Sequence, residues 1–301
     1  MQKTSTRKPW ERMGPADVVI IIVLAVIAFV MLFPFYNSIV LSFNDGKDAQ
    51  MGGIYFWPRV FTLDNYRQVL TNVTIWRAFG VSVLRVITGT SLSLLVTSLF
   101  AYAISRPQLK FRKLYTALAL ISMYFNGGLI PTFLVIRDLG LLNSFLVYVV
   151  TWAFNAFYAF IFLSFFRGMP AALEESAKID GAGDWRIFFQ IIVPLSTASF
   201  AAVGLFTAIN HWNAWNDNML YVKKESLTTL SFLFVKMIKN QEMLENAAAT
   251  TGVGEMSRGT NVSSTSLQLA TMMVSVVPIM CVYPFVQKYF TSGMMIGSIK
   301  G

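Results

Sequence analysis

The sequence predicts an all-α membrane protein with six transmembrane helices. Composition is the first reason: of 301 residues, 55% are hydrophobic and 13% charged, far below the ~25% charged residues of a typical soluble domain. This excludes a disordered chain, a disulfide scaffold and an ordinary cytosolic enzyme. The spacing of the charges is the second reason. Residues 18–44, 86–105, 114–136, 139–166, 187–216 and 259–287 contain no Asp, Glu, Lys or Arg. Each run reaches the roughly 20 mostly apolar residues that a helix needs to cross a hydrocarbon core. The third is the distribution of basic residues, which assigns these runs an orientation.

In chain order, Lys3, Arg7, Lys8 and Arg12 precede the first apolar run. That run exceeds the roughly 7–15 residues of a secretory signal and lacks a small-residue cleavage site, so it reads as a retained helix. With the N-terminus inside, residues 1–17, 105–113, 167–189 and the end from Lys288 are cytoplasmic and carry 13 of the 24 basic residues. The opposite side carries 10, mostly in long loops that weigh little in orientation. Arg106, Lys110, Arg112 and Lys113 are the strongest single signal. The net charge of +9 therefore reflects topology rather than nucleic-acid binding.

The expected organisation is a cytoplasmic tail at 1–17, a six-span body at 18–291 with external loops at 42–76 and 217–258, and a cytoplasmic tail at 292–301. The first loop, with Gly52-Gly53, Trp57-Pro58 and Phe61, reads as an ordered polar loop with aromatic anchors. In the second, apolar residues recur at helical spacing over 227–239, predicting a short interfacial helix that Lys236 and Lys239 close early. The stretch at 250–266, rich in glycine, serine and threonine, is the one linker-like segment. Cys281, the single cysteine, excludes an internal disulfide and a zinc site built from several thiolates. Its place in an apolar run suggests a packed thiol.

The cytoplasmic loop at 168–190 is the most informative segment. Pro170 suits a helix start, and Glu174 and Glu175 fall early, where the helix dipole favours negative charge. Gly181 and Gly183 permit the left-handed conformation that ends a helix. Asp184 can cap a second helix running through Trp185, Phe188 and Phe189 toward Pro194. Two short helices joined by a glycine corner make a lever that a soluble partner can grip.

At this point the chain resembles the membrane-spanning subunits of ATP-binding-cassette (ABC) importers, whose signature is Glu-Ala-Ala, three residues, Gly, nine residues, Ile, one residue, Leu-Pro. The chain reads Glu175-Ser176-Ala177, Gly181, Ile191 and Val193-Pro194, with every spacing kept and two substitutions, Ser176 and Val193. The surrounding residues resemble the carbohydrate-uptake branch, in particular the maltose-permease second-subunit type. The likeness extends from about residue 70 to the end, through Ala101-Tyr102-Ala103-Ile104-Ser105-Arg106, Asn126-Gly127-Gly128 with Pro131, and His211-Trp212-Asn213. The last pieces resemble permeases for complex or acidic oligosaccharides. The resemblance implies that the 168–190 loop couples to an ATPase, through Glu174, Glu175, Ser176, Ala177, Asp180, Gly181, Ala182 and Pro194. It further implies a second homologous permease subunit, two ABC ATPase subunits that bind ATP and Mg, an extracytoplasmic solute-binding protein, and a prokaryotic plasma membrane with both termini cytoplasmic. No cofactor, metal or catalytic residue is expected in this chain.

What the sequence lacks agrees with that expectation. No Gly-x-x-x-x-Gly-Lys-Ser/Thr phosphate loop is present, so ATP must be handled by another subunit. The apolar runs hold no Asp or Glu, which weakens the alternative of an ion-coupled secondary carrier. An ABC permease for a non-sugar solute is the other alternative. His211 is the single histidine, and neither an HExxH nor a GxSxG motif occurs, so a membrane enzyme is improbable. Saccharides are held by aromatic faces and by amides that donate and accept at once. The pathway candidates are Arg85, Tyr124, Asn126, Trp152, Asn155, Trp212 and Asn213, with Tyr158, Trp215 and Asn216 nearby. Asn126 and Asn155 stand out, because an apolar setting demands partners for an amide. Asn126-Gly127-Gly128 with Pro131 predicts a broken third helix of the kind that lines cavities. Arg85 reads either as a contact for a carboxylated or hydroxyl-rich solute or as a structural group, held in a salt bridge or by hydrogen bonds to helix ends in a neighbouring subunit.

Overall fold

The computed structural model describes residues 14–251 and 264–297. The basic cluster at 3–12, most of the 250–266 stretch and the end of the C-terminal tail at 298–301 lie outside the described residues. The described residues are helical, with one isolated bridge between Asn44 and Phe61. Fifteen α-helices follow in order: α1 Pro15–Ser42, α2 Gly46–Gln50, α3 Asp64–Thr71, α4 Val73–Ser105, α5 Arg112–Tyr124, α6 Leu129–Asp138, α7 Leu146–Val150, α8 Ala156–Arg167, α9 Ala172–Ile179, α10 Asp184–Ile187, α11 Val193–Leu195, α12 Thr197–Asn213, α13 Asn216–Tyr221, α14 Leu230–Thr251 and α15 Ser264–Gly297. A π-helical stretch, Phe188–Ile192, joins α10 to α11.

The all-α expectation holds, and the protein is a membrane protein built on apolar helices. Two of them, α1 and α4, are long and apolar enough to span a bilayer as single pieces. Three bent pairs pass the same test: α5 with α6 at 117°, α8 with α9 at 77°, and the 184–195 segment with α12 at 83°. Two expected continuous runs are therefore broken. The 139–166 run turns at Gly140 (φ 68) and Asn143 (φ 57), and α8 restarts only where Asn155 caps it. The 187–216 run breaks at Ser196, just after Pro194, whose missing N–H weakens the ladder; the Thr197 hydroxyl donates to the Pro194 carbonyl at 2.6 Å. Charge-free length is blind to both devices. The helix expected over 227–239 runs instead from Leu230 to Thr251, because Lys236 and Lys239 lie on its exposed side and need not end it. Cys281 is exposed rather than packed.

The chain divides into two units, Met1–Thr71 with Leu244–Met273, and Asn72–Met243 with Val274–Gly301. In the first, α1 starts with Pro15 in its first turn and presents a long apolar surface from Val18 to Leu32. The loop after it is ordered, as expected. Buried Asn65 donates to the carbonyls of Ser42 and Asn44, both at 2.9 Å. Phe43 stacks on Phe61 at 5.7 Å and tilts on Tyr66 at 4.7 Å, so Phe61 grips the end of α1, whereas Trp57, the other expected anchor, is 78% exposed.

The second unit is organised around α4 and α12. Arg85, Gly89, Ser93, Thr97 and Ala101 recur every four residues on the buried side of α4, and Ser199, Val203, Thr207 and His211 do so on α12. Matched four-residue ridges carrying small side chains let two helices approach closely. The tightest point is Gly89, where a Cβ would come within 2.6 Å of His211 Nε2. A core of Tyr102, Ile104, Phe162, Phe166, Ile187, Phe188 and Ile192 packs α8 and the 184–195 segment against the end of α4.

Arg85 has no exposed surface, and Asp217 is 6% exposed. The guanidinium takes the Asp217 carboxylate with both Nη atoms, Nη1 to Oδ1 at 3.1 Å and Nη2 to Oδ2, and Nη1 also donates to the Ala214 carbonyl at 3.0 Å. Its flat face lies over the Tyr148 ring at 4.7 Å. The carboxylate also accepts the Trp152 indole N–H at 3.2 Å.

Two outcomes are expected from this packing. Gly89→Leu overfills the α4–α12 crossing and should cost about 1–3 kcal/mol. Thermal unfolding of the purified protein measures it, and adding His211→Ala should recover part of the loss. Arg85→Met alone leaves a buried carboxylate unpaired and should cost about 3–5 kcal/mol, whereas Arg85→Met with Asp217→Leu should unfold close to the parent. An additive double-mutant cycle would show that the pair is not energetically coupled.

Candidate functional site

The second unit holds a cavity of about 770 Å³. Its wall comes from places where helices break or end: Asn126, Gly128 and Thr132 at the α5–α6 break, Trp152 and Asn155 before α8, and Asn210, Asn213, Trp215, Asn216 and Asp217 around the end of α12. Ser93 of α4, Tyr158, Thr207 and Tyr221 also line it. Such breaks free backbone groups that side chains must satisfy. Asn155 Oδ1 accepts the Tyr158 N–H at 3.1 Å and caps α8, while the Asn155 N–H donates to Thr97 Oγ1 at 3.3 Å. Asn126 Oδ1 accepts the Gly128 N–H at 3.0 Å, which fixes the turn before α6. Asn210 donates to the Tyr158 hydroxyl at 3.0 Å.

Of the sequence-derived pathway candidates, Asn126, Trp152, Asn155 and Asn213 come together on this wall, with Tyr158, Trp215 and Asn216. Arg85 lies behind it, committed to Asp217. Tyr124 is 82% exposed at the end of α5, outside the lining. Trp212 turns to the other side of α12, where it borders a small apolar groove with Val83, Ile87, Pro278 and Ile279 and donates to the Ser275 carbonyl at 3.2 Å. Sequence reasoning missed Asp217, Asn210, Thr207 and Tyr221. Asp217 bounds the charge-free run at 187–216, and that position was the only available signal for it.

The ring groups on the wall are held in place. Trp152 packs on His211 at 5.6 Å between ring centres in addition to its bond to Asp217, and Lys239 Nζ sits over the Trp215 ring at 5.8 Å. The arrangement suits stacking on a pyranose face and hydrogen bonding to hydroxyls. Among the described residues no group of three His, Cys, Asp or Glu side chains is placed to hold a metal ion.

The 172–195 segment forms the expected pair of short helices and glycine corner. Gly181, at φ 79, donates to the Lys178 carbonyl at 3.0 Å while Ala182 donates to the Ala177 carbonyl at 2.9 Å. This double closure ends α9 in the left-handed way reserved for glycine. Gly183 differs from expectation: at φ −74 it is extended and precedes α10, and Asp184 is the first helical residue rather than a side-chain cap. Asp184 pairs instead with Lys178 at 3.7 Å. Glu175, Ser176, Asp180 and Gly181 are exposed, Ala182 is half-buried, Ala177 is buried, and Pro194 is exposed at the far end. Glu174 turns inward to an ion pair with Arg106, whose guanidinium lies 4.2 Å over the Tyr102 ring.

No family model matches the chain. It is 35% identical to the polygalacturonan/rhamnogalacturonan transport system permease protein YtcP of Bacillus subtilis (strain 168), over 95% of this chain and 98% of that protein. Among solved structures, a bacterial ABC transporter involved in the import of the acidic polysaccharide alginate superimposes with a TM-score of 0.82 and 28% identity, covering 92% of this chain and 99% of that one. A chain of the bacterial alginate ABC transporter in complex with an alginate pentasaccharide-bound periplasmic protein gives a TM-score of 0.56 at 14% identity, over 93% and 96% of the two chains, a likeness of fold alone. With one-third identity over nearly the whole of both chains and the importer signature at its expected spacing, the chain belongs to the membrane permease subunits of sugar-importing ABC transport systems, and it is a transport subunit rather than an enzyme.

Proposed function

We propose that this chain forms half of the translocation pathway of a binding-protein-dependent importer and that its cavity is the stretch of pathway an oligosaccharide crosses. The wall of the cavity carries this reading: amides and aromatic rings sit where helices break, with the one carboxylate already neutralised. Such a wall offers exchangeable hydrogen bonds and flat apolar faces without a deep charge trap, which lets a solute enter and leave. The relative named for polygalacturonan and rhamnogalacturonan and the alginate importer support a saccharide as cargo.

In the full assembly the chain pairs with a second homologous permease. An extracytoplasmic solute-binding protein delivers the solute. Two ATPase subunits grip the loop at 168–190. Exposed Ile179 and Trp185, at 86% and 66%, beside Glu175 and Asp180, support such a grip, since apolar groups that large need a covering partner. The chain crosses the plasma membrane six times, with both termini cytoplasmic and external loops at 42–76 and 217–258. ATP and Mg stay with the ATPase subunits.

The pathway is tested in a Cys281→Ser background. Asn213→Cys should lose most uptake after treatment with a charged, membrane-impermeant methanethiosulfonate, while Lys47→Cys should not. Full uptake after complete labelling of Asn213→Cys would remove the cavity from the pathway. The lever is tested separately. A Cβ at Gly181 meets open space, so Gly181→Val costs only the backbone strain of φ 79, about 1–2 kcal/mol. The variant should reach the membrane, yet bring down several-fold less ATPase on purification and show weaker solute-stimulated hydrolysis. Unchanged copurification and hydrolysis would mean that this corner is not the coupling element.

A further inference from the structure

The asparagines of the cavity wall do not offer both halves of their amides. A backbone N–H at a helix start must have an acceptor, so the capping bond fixes which atom of the amide turns inward. Asn155 spends Oδ1 on the Tyr158 N–H, and Asn126 spends Oδ1 on the Gly128 N–H. In both, the NH₂ group is what remains for the cavity. Tyr158, which is 9% exposed, accepts from Asn210, so its own hydroxyl proton has no acceptor among the described residues. Thr207, 4% exposed on the same wall, has a hydroxyl without a hydrogen-bond partner. Buried polar groups are normally satisfied; Thr207 Oγ1 is enclosed and out of a solute's reach, so it is the spare Tyr158 hydroxyl proton that points to a ligand supplying an acceptor. The one charged side chain in the lining is Asp217, and Arg85 neutralises it from behind.

Resting on the reading of this cavity as the pathway, we propose that Asn126 and Asn155 are specificity-determining residues whose amide N–H groups read the carboxylate oxygens of an acidic saccharide, with uncharged donors in place of a cation. Arg85 takes no part in this contact; it keeps Asp217 from repelling the solute. Neutral donors suit a carrier, because a carboxylate held by an amide is released more readily than one held by a buried guanidinium fork.

Asparagine and aspartate cap helices about equally well, so Asn→Asp keeps the capping oxygen and replaces the donor with a carboxylate. The probes are oligogalacturonate and the same oligomer with its carboxyl groups reduced, offered to the complete assembled transporter in proteoliposomes. The parent should carry the carboxylated form in preference. Asn155→Asp should lower its uptake by about tenfold or more, the expected scale for losing a hydrogen bond to a charged group and gaining a like charge. Uptake of the reduced form should fall by a smaller factor, so that the ratio of the two uptakes moves against the carboxylated form, because neutral hydroxyls donate to a carboxylate as readily as they accept from an amide. Asn126→Asp, at the α5–α6 break, should act in the same direction and serves if Asn155→Asp fails to assemble. A parent that prefers the reduced oligomer or carries neither, or variants in which the ratio of the two uptakes does not move, overturns the proposal. Failure of the pathway reading itself is separate: it appears as uptake untouched by labelling at Asn213→Cys.

Discussion

A fully buried guanidinium in a membrane protein allows little freedom in what surrounds it. Arg85 sits in the middle of a long apolar helix with no exposed surface, and an unpaired charge there would be expensive enough to unfold the region. Its partners therefore fix the neighbouring elements. Asp217 brings in α13, the Ala214 carbonyl brings in the end of α12, Tyr148 places α7 against the guanidinium face, and Trp152 reaches the same carboxylate from the segment before α8. A buried pair of this kind need not add net stability over an apolar replacement of the same shape. Its effect is selective: few other arrangements of these helices satisfy both charges, the indole and the freed carbonyl together.

The second constraint is the backbone. Helices that stop inside an apolar environment expose N–H and C=O groups that water cannot reach, and each break must bring its own partners. This chain does so with asparagine at α8 and at the turn before α6, through Asn155 and Asn126. The residues that make these breaks tolerable are in both cases residues that line the cavity. Cap and wall are one device, and the orientation of the wall amides follows from the capping bond.

Much of this was legible in the sequence, and the remainder was hidden for definable reasons. Six charge-free runs announced an all-α membrane protein, Asn126-Gly127-Gly128 announced the break that the structure bends by 117°, and the spacing around Gly181 announced the corner. The charge count placed the outer end of α4 at about Arg77, where the 42–76 loop was to close, and the helix begins slightly earlier, at Val73. The same count concealed the breaks at 139–155 and at Ser196, which depend on conformation and caps rather than on hydropathy. Of the site, the amides were found because an apolar setting forces them to have partners. Asp217 was not, since a partner 132 residues away from Arg85 leaves no local pattern. Glu174 was read as facing a partner protein; its bond to Arg106 depends on how α9 folds back on α4, which spacing does not reveal.

Two of the ion pairs of the second unit share one helix. Arg85, inside α4, is tied to the cavity wall, and Arg106, at its C-cap, is tied through Glu174 to α9. Roughly 30 Å of continuous helix separates them. A second connection runs through α8, which begins at the cap supplied by Asn155 and ends at Arg167, just before α9. Phe162 and Phe166 of α8 pack in the core that Tyr102, Ile187 and Phe188 also build. Close-packed helices resist compression, so a displacement imposed on α9 has two rigid routes to the cavity and little room to dissipate between them. Both pairs are thus anchored on α4, and apart from Asp217, which Arg85 neutralises, the cavity wall is lined by uncharged groups.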